Sequence, residues 1–256
     1  MTTADPERSR RAGRSRKDPE RRAELTEHLA ELRARLIRCV VYLAAGTTAA
    51  WFLYDDIFRL LVDPMIGVLK GMDSKFLMTS FPEAFVIRLQ ICVLSGLIFT
   101  SPFVTMEIWG FIAPGLTPQE RRPVKWVAPL SVVLFVSGVL LCYKIMPMGF
   151  RWFAGYVPAQ YAELRPTVQG SLMFVLKMML AFGIVFELPV FLMLLAKVGI
   201  VNSRMLLRNW RYAMVAASVV AAVATPSADA FSMMMMAVPV AVLYFASIAL
   251  VRFIER

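Results

Sequence analysis

The chain has 256 residues, of which 59% are hydrophobic and 18% charged, with a formal net charge of +10. A soluble domain carries about 25% charged residues, so a chain this apolar cannot cover itself with polar surface, and lipid is its expected solvent. Cys39, Cys92 and Cys142 lack metal-ligand spacing and His28 is the only histidine, which leaves a zinc centre, a Cys–His nucleophile and a disulfide framework without support.

In chain order, residues 1–23 come first. Met1 to Arg22 is rich in Arg, Ser, Asp and Glu and cannot bury a core, so this tail is expected to be disordered, with anionic lipid headgroups as its contact. A nucleic-acid role for the tail is the lesser reading, and no nucleic-acid partner is expected. Residues 24–256 form one membrane domain. Crossing a bilayer takes about 20 mostly apolar residues. That length predicts spans at about 36–54, 85–110, 124–146 and 172–195. The last apolar tract is interrupted by Thr225-Pro226-Ser227-Ala228-Asp229, which no lipid-facing helix tolerates. Two short spans follow from that break, at about 212–224 and 231–251. The fifth covers only about 20 Å, short of a normal hydrocarbon core, so it needs a thinned bilayer or shelter among neighbours. The fold class is therefore all-α integral membrane protein with six transmembrane helices.

Orientation follows from the basic residues. With the N-terminus in the cytoplasm, 20 of the 28 Lys and Arg fall on that side, which is the positive-inside pattern and puts both termini there.

Several side chains stand out within this frame. Glu24, Glu27 and Glu31 share a helix face just before the first span, and Glu31 can pair with Arg35 one turn on. Between the second and third spans, Thr117-Pro118-Gln119-Glu120 reads as a capping box that starts the third helix. Glu120 is also a surface carboxylate near the depth of Glu31, and two such carboxylates can each take a guanidinium in a forked pair. Glu187 lies in an apolar run two residues before Pro189, which deprives the carbonyl of Val185 of its helical donor and predicts a bend with a polar pocket. A carboxylate at that depth is a functional candidate. The Met233–Met236 run reads as packing filler that also suits an adaptable helix partner.

Five blocks in order carry a family resemblance: His28 to Leu36 (HLAELRARL), Ser80 to Phe85 (SFPEAF), Ser101 to Arg122 (SPFVTMEIWGFIAPGLTPQERR), Phe182 to Val190 (FGIVFELPV) and Ala224 to Met233 (ATPSADAFSM). On a six-span topology these resemble the C subunit of the twin-arginine protein translocase, the TatC family, over about Glu27 to Phe253. The resemblance implies a concave bundle in the cell inner membrane that receives folded cargo bearing twin-arginine signal peptides. It implies Glu31 and Glu120 as the arginine-binding acids, with Phe111, Arg33, Arg121 and Arg122 as the aromatic and basic members of the same motif, the three arginines reading as supports for the loop or as lipid-headgroup contacts. It implies that Glu187 faces a groove that meets single-span TatA- or TatB-type subunits, with Pro189 and Glu107 alongside. Pro226, Asp229 and Met233 would form a periplasmic cap and a contact for a single-span partner. Self-association and a drive from the proton motive force complete the implied system, with no cofactor, no metal and no enzymatic chemistry.

Two departures accompany the resemblance. Relatives often carry an uncharged polar residue such as glutamine where this chain has Glu107, and a polar residue where it has Met233. Glu107 and Glu187 both fall in the cytoplasmic half, and two nearby carboxylates in low dielectric cannot both ionise cheaply. That pairing supports a rival reading, a small proton- or ion-coupled secondary transporter, although no repeated halves are visible.

The topology has a direct check. Cysteines substituted at Lys75, Glu163 and Ala228 are expected to react with an impermeant thiol reagent added outside the cell, and those at Arg16, Gln119 and Ser203 are not. Reversed labelling overturns the orientation.

Overall fold

The computed structural model describes residues 6–71, 75–112, 118–157, 165–197, 199–225 and 229–254; within these, side chains are described from residue 29 onward, leaving aside 112, 118–128, 224 and 254. The described residues form nine helices and no strand: α1 (Pro6–Phe52), α2 (Tyr54–Gly71), α3 (Glu83–Ile112), α4 (Pro118–Ala154), α5 (Val168–Val185), α6 (Leu188–Lys197), α7 (Ser203–Arg208), α8 (Trp210–Ala224) and α9 (Ala230–Ile254). Residues 83–111, 129–154, 168–197 and 230–253 are each long and apolar enough to cross a membrane. The apolar part of α1, 29–52, bends by 81° into α2, and α8 is the short apolar helix. With the bent α1–α2 pair counted as one crossing, five expected spans have a helix of crossing length, and α8 is the shorter apolar helix at the place of the expected fifth span.

Three features differ from the sequence reading. Helix α1 begins at Pro6, so the backbone of residues 6–23, within the tail expected to be disordered, is helical. Arg, Glu, Lys and Ala are strong helix formers, and a charged stretch without a core can extend a helix that starts in the next segment. Helix α2 had no counterpart among the expected elements. It is amphipathic rather than spanning: Ile57, Leu61, Pro64 and Met65 are buried on one face, with Asp55 and Asp56 in its first turn and Lys70 in its last, each sign matched to the helix dipole. The third span also runs on past Met146 to Ala154, because Phe150 and Phe153 keep the apolar face going and stack edge-on with Phe174 of α5.

The bundle is built around α3. Helix α1 packs along one side of it, while α4 and α5 pack on others. The main core joins Ile57 and Leu61 of α2, Ile87 and Ile91 of α3, Met146 of α4, and Leu172, Leu176 and Phe182 of α5. The α1–α3 contact is close enough to depend on two glycines. A Cβ on Gly96 would stand 2.6 Å from the backbone nitrogen of Thr47, and one on Gly46 would run into the Thr100 methyl. Helix axes approach this closely only where side chains are absent, and close approach lets dispersion contacts replace the hydrophobic drive that lipid removes.

The α2–α3 connection is tied to the start of α5. The Leu77 N–H donates to Pro166 O at 3.0 Å and the Val168 N–H to Leu77 O at 3.2 Å. Glu83 opens α3 by folding its carboxylate back onto the Ser80 N–H and onto both the N–H and hydroxyl of Thr79. Helices α8 and α9 stand against each other, and α9 also packs on α6 and α7, where the Tyr244 hydroxyl donates to Leu206 O.

Gly96→Ala is expected to lower the stability of the detergent-purified protein by about 1–3 kcal/mol through overpacking. Gly67→Ala on α2, whose added Cβ meets nothing within 4 Å, serves as the neutral control. Equal melting temperatures for the two variants would contradict the close α1–α3 contact.

Candidate functional site

Two carboxylates flank α3 on opposite sides, and helix geometry dictates the separation. Glu107 and Trp109 are two residues apart, so their side chains leave the helix about 200° apart. Glu107 points at α1, and Trp109 points at α4 and α6.

On the α1 side, Glu31, Arg35, Arg38 and Tyr42 recur at helical spacing and form a polar stripe facing α3. The Arg35 guanidinium bridges two acids. Its Nε and Nη2 donate to one oxygen of Glu31, Oε1, at 3.1 and 2.7 Å. Its Nη1 donates to Glu107 Oε2 at 3.1 Å and to the Glu107 main-chain carbonyl at 3.4 Å. The second oxygen of Glu107 meets Arg38 Nη1 at 3.1 Å and accepts from the Tyr42 hydroxyl at 3.4 Å. The guanidinium has room there because Gly110 lies one turn beyond Glu107, and a Cβ on Gly110 would collide with Arg35 Nη1. Two acids and two arginines balance in charge. The outer acid is open to solvent and the inner one is not: the Glu31 side chain is 31% exposed, that of Glu107 10%.

On the other side, the Trp109 indole N–H donates to Ser131 Oγ at 2.9 Å, and Ser131 Oγ donates to Glu187 Oε2 at 2.5 Å. Proton bookkeeping settles the direction. Indole nitrogen only donates, so the hydroxyl accepts there and its own proton goes to the carboxylate. Ser131 is fully buried and Trp109 nearly so. The other Glu187 oxygen, Oε1, is buried without a hydrogen-bond partner. Glu187 occupies the break between α5 and α6, where the chain turns through Phe186 and Glu187 because Pro189 has no N–H to offer Val185. The expected bend and polar pocket are thus both present, with Pro189 buried beneath. The break also opens an apolar groove of about 490 Å³ between α5–α6 and α8–α9. Glu187 is its one acidic lining residue; Phe191, Ala213, Ala217, Val220 and Val240 are among the rest.

The remaining expected residues distribute as follows. Arg33 is exposed and lies off the polar stripe, and Phe111 is half-buried in the last turn of α3. Helix α4 begins at Pro118, as the capping pattern predicts, but Thr117 and the side chains of Glu120, Arg121 and Arg122 lie outside the described residues, as does Pro226. Asp229 caps α9, its Oδ1 accepting from the Ser232 N–H at 2.8 Å. Met233 is half-buried one turn further on. Nearby, Trp152 of α4 stacks on Phe231 at 4.3 Å and holds the start of α9 against the bundle. The suspected Glu107–Glu187 pairing is replaced by two separate networks. Glu107 answers to arginines of α1, Glu187 to a serine of α4. The rival transporter reading loses its premise with that pairing. Arg38, Tyr42, Trp109 and Ser131 were not singled out from the sequence. The first two continue the Glu31–Arg35 stripe and were readable by spacing, whereas a lone serine in an apolar span carries no such signal.

Comparison with known proteins gives the family and the fold. The sequence profile of the family described as Sec-independent protein translocase protein (TatC) matches residues 27–239. The chain is 37% identical to the Sec-independent protein translocase protein TatC of Desulforapulum autotrophicum, over 90% of this chain and 84% of that one. It is likewise 37% identical to the protein of that name from Magnetococcus marinus, over 93% and 88% of the two chains. In three dimensions it is similar to the crystal structure of a twin arginine translocase receptor, TatC, with a TM-score of 0.75 at 32% identity, covering 90% of this chain and 100% of that one.

Ser131→Ala strands both the Trp109 N–H and the remaining Glu187 oxygen in a buried setting, and is expected to cost about 1–3 kcal/mol of stability in a detergent melt. Ser131→Thr keeps the hydroxyl and is expected to recover most of it. An Ala variant that melts like the parent would show that the relay does not form.

Proposed function

The chain belongs to the TatC family of Sec-independent protein translocase proteins, and from that premise we propose that it is the receptor and scaffold subunit of a twin-arginine translocase. It sits in the cell inner membrane with both termini in the cytoplasm, and it is a transport component rather than an enzyme. The face that carries Glu31 receives the signal peptide of folded cargo. Glu31 and Glu120 take the paired arginines, with Phe111, Arg33, Arg121 and Arg122 framing the site. One observation carries this reading: Glu31 already accepts a guanidinium through two hydrogen bonds at a solvent-open position. A carboxylate placed to hold one arginine from this chain has the right chemistry to hold one from another.

The groove beside Glu187 is the seat of a single-span TatA- or TatB-type subunit. Its apolar lining suits a transmembrane helix, and Glu187, the one acidic residue on that lining, is the polar anchor for it. Asp229, Pro226 and Met233, where α9 starts, form the periplasmic cap and a further contact for such partners. Copies of the chain associate with one another, and the proton motive force drives export.

Binding of a fluorescent twin-arginine signal peptide to the purified full chain tests the two sites separately. Glu31→Gln and Glu120→Gln are each expected to weaken it by about tenfold or more, as does changing both peptide arginines to lysine. Glu187→Ala is expected to leave peptide binding intact while abolishing export and crosslinking of the partner helix to the groove, with Glu187→Gln milder. Unchanged peptide affinity in the Glu31 variant refutes the receptor site, and unchanged crosslinking in the Glu187 variant refutes the anchor.

A further inference from the structure

The Glu31 carboxylate does not wait empty. Arg35 of the same helix holds it with two donors on a single oxygen, while its third nitrogen reaches Glu107. Resting on the receptor reading of Glu31, we propose that Arg35 is an internal competitor that occupies the signal-peptide site, and that Glu107 is the second seat that allows it to give way. Together they set how strongly a signal must bind to be accepted.

The geometry supports exchange without strain. When a peptide arginine takes Glu31, Arg35 gives up only its Nε and Nη2 contacts. Its Nη1 bonds to the Glu107 carboxylate and main-chain carbonyl stay in place. A partly buried cation stripped of its only counter-ion would be less stable, and Glu107 keeps Arg35 paired. Approach is possible at one seat only. Glu31 is partly open to solvent, whereas the Glu107 side chain lies behind Arg35 and also holds Arg38 and Tyr42. Arg38 is half exposed and can yield its place on Glu107 if Arg35 turns fully inward. Without Glu107, Arg35 would have Glu31 as its sole acidic partner and would resist displacement.

A competitor lowers the apparent affinity of every ligand by the same factor, because the site must be vacated before any of them binds. This separates competition from direct contact. The full-length protein in lipid nanodiscs is titrated with two synthetic signal peptides, one with two arginines and one with two lysines. Arg35→Met is expected to tighten both by an equal factor, about two- to fivefold, the range for losing a partly exposed ion pair. Glu107→Gln is expected to weaken both by a similar factor, and to have no effect once Arg35 is Met. Arg35→Lys, which holds one acid at a time, falls between the parent and Arg35→Met and covers the case in which the Met variant fails to fold.

Weaker or unchanged binding in both Arg35 variants overturns the proposal and makes Arg35 a support for Glu31. Unequal gains for the two peptides, or a Glu107→Gln effect that persists in the Arg35→Met background, overturn it too, because either would mean direct contact with the peptide. If Glu31→Gln leaves binding untouched, the underlying site assignment fails, and the inference falls with it. That outcome is distinguishable because it is independent of Arg35.

Discussion

A carboxylate at the edge of, or inside, a bilayer has to be answered by groups on the protein, since lipid offers it nothing. This constraint organises the bundle. Helix α3 stands between two such acids and serves both, presenting Glu107 to α1 on one side and sending Trp109 to the Ser131–Glu187 relay on the other. The two acids are answered by different chemistry. Glu107 meets full positive charges, whereas Glu187 receives a single hydroxyl and retains one oxygen without a partner. The first arrangement is balanced within the chain; the second is left with bonding capacity at a groove.

The packing follows from the same need. For Arg35 to reach Glu107, α1 has to lie close against α3, and Gly46, Gly96 and Gly110 provide that clearance by having no side chain. Small residues in an apolar span therefore serve the charged stripe as much as the van der Waals contact. Likewise the α5–α6 break performs two tasks at once: it turns Glu187 toward Ser131 and opens the wall of the groove between α5–α6 and α8–α9.

Much of this was legible in the residues. Span number came from apolar run length, and Pro189 after Glu187 announced the bend, because a missing N–H acts locally and has one consequence. Glu31 and Arg35 could be paired by spacing along one helix. What could not be read was which face of α3 each acid occupied relative to its neighbours. Glu107 and Glu187 fall at similar depth along their spans, and depth alone made them candidates for sharing a proton. Their separation depends on the rotation of α3 about its axis, which is set by tertiary packing. Helix α2 was missed for another reason: its apolar residues recur at helical spacing, but the stretch is too polar to register as a span and carries no motif.

The 81° bend after Phe52 has a consequence for depth. Because α2 leaves the axis of α1 there, the straight part of the first apolar helix ends at Phe52. Glu31 lies 21 residues back along the helix, which at about 1.5 Å per residue is about 32 Å, the thickness of a hydrocarbon core. The bend thus works as a gauge block. It sets the Glu31–Arg35–Glu107 cluster about one hydrocarbon core's thickness from Phe52 along the helix.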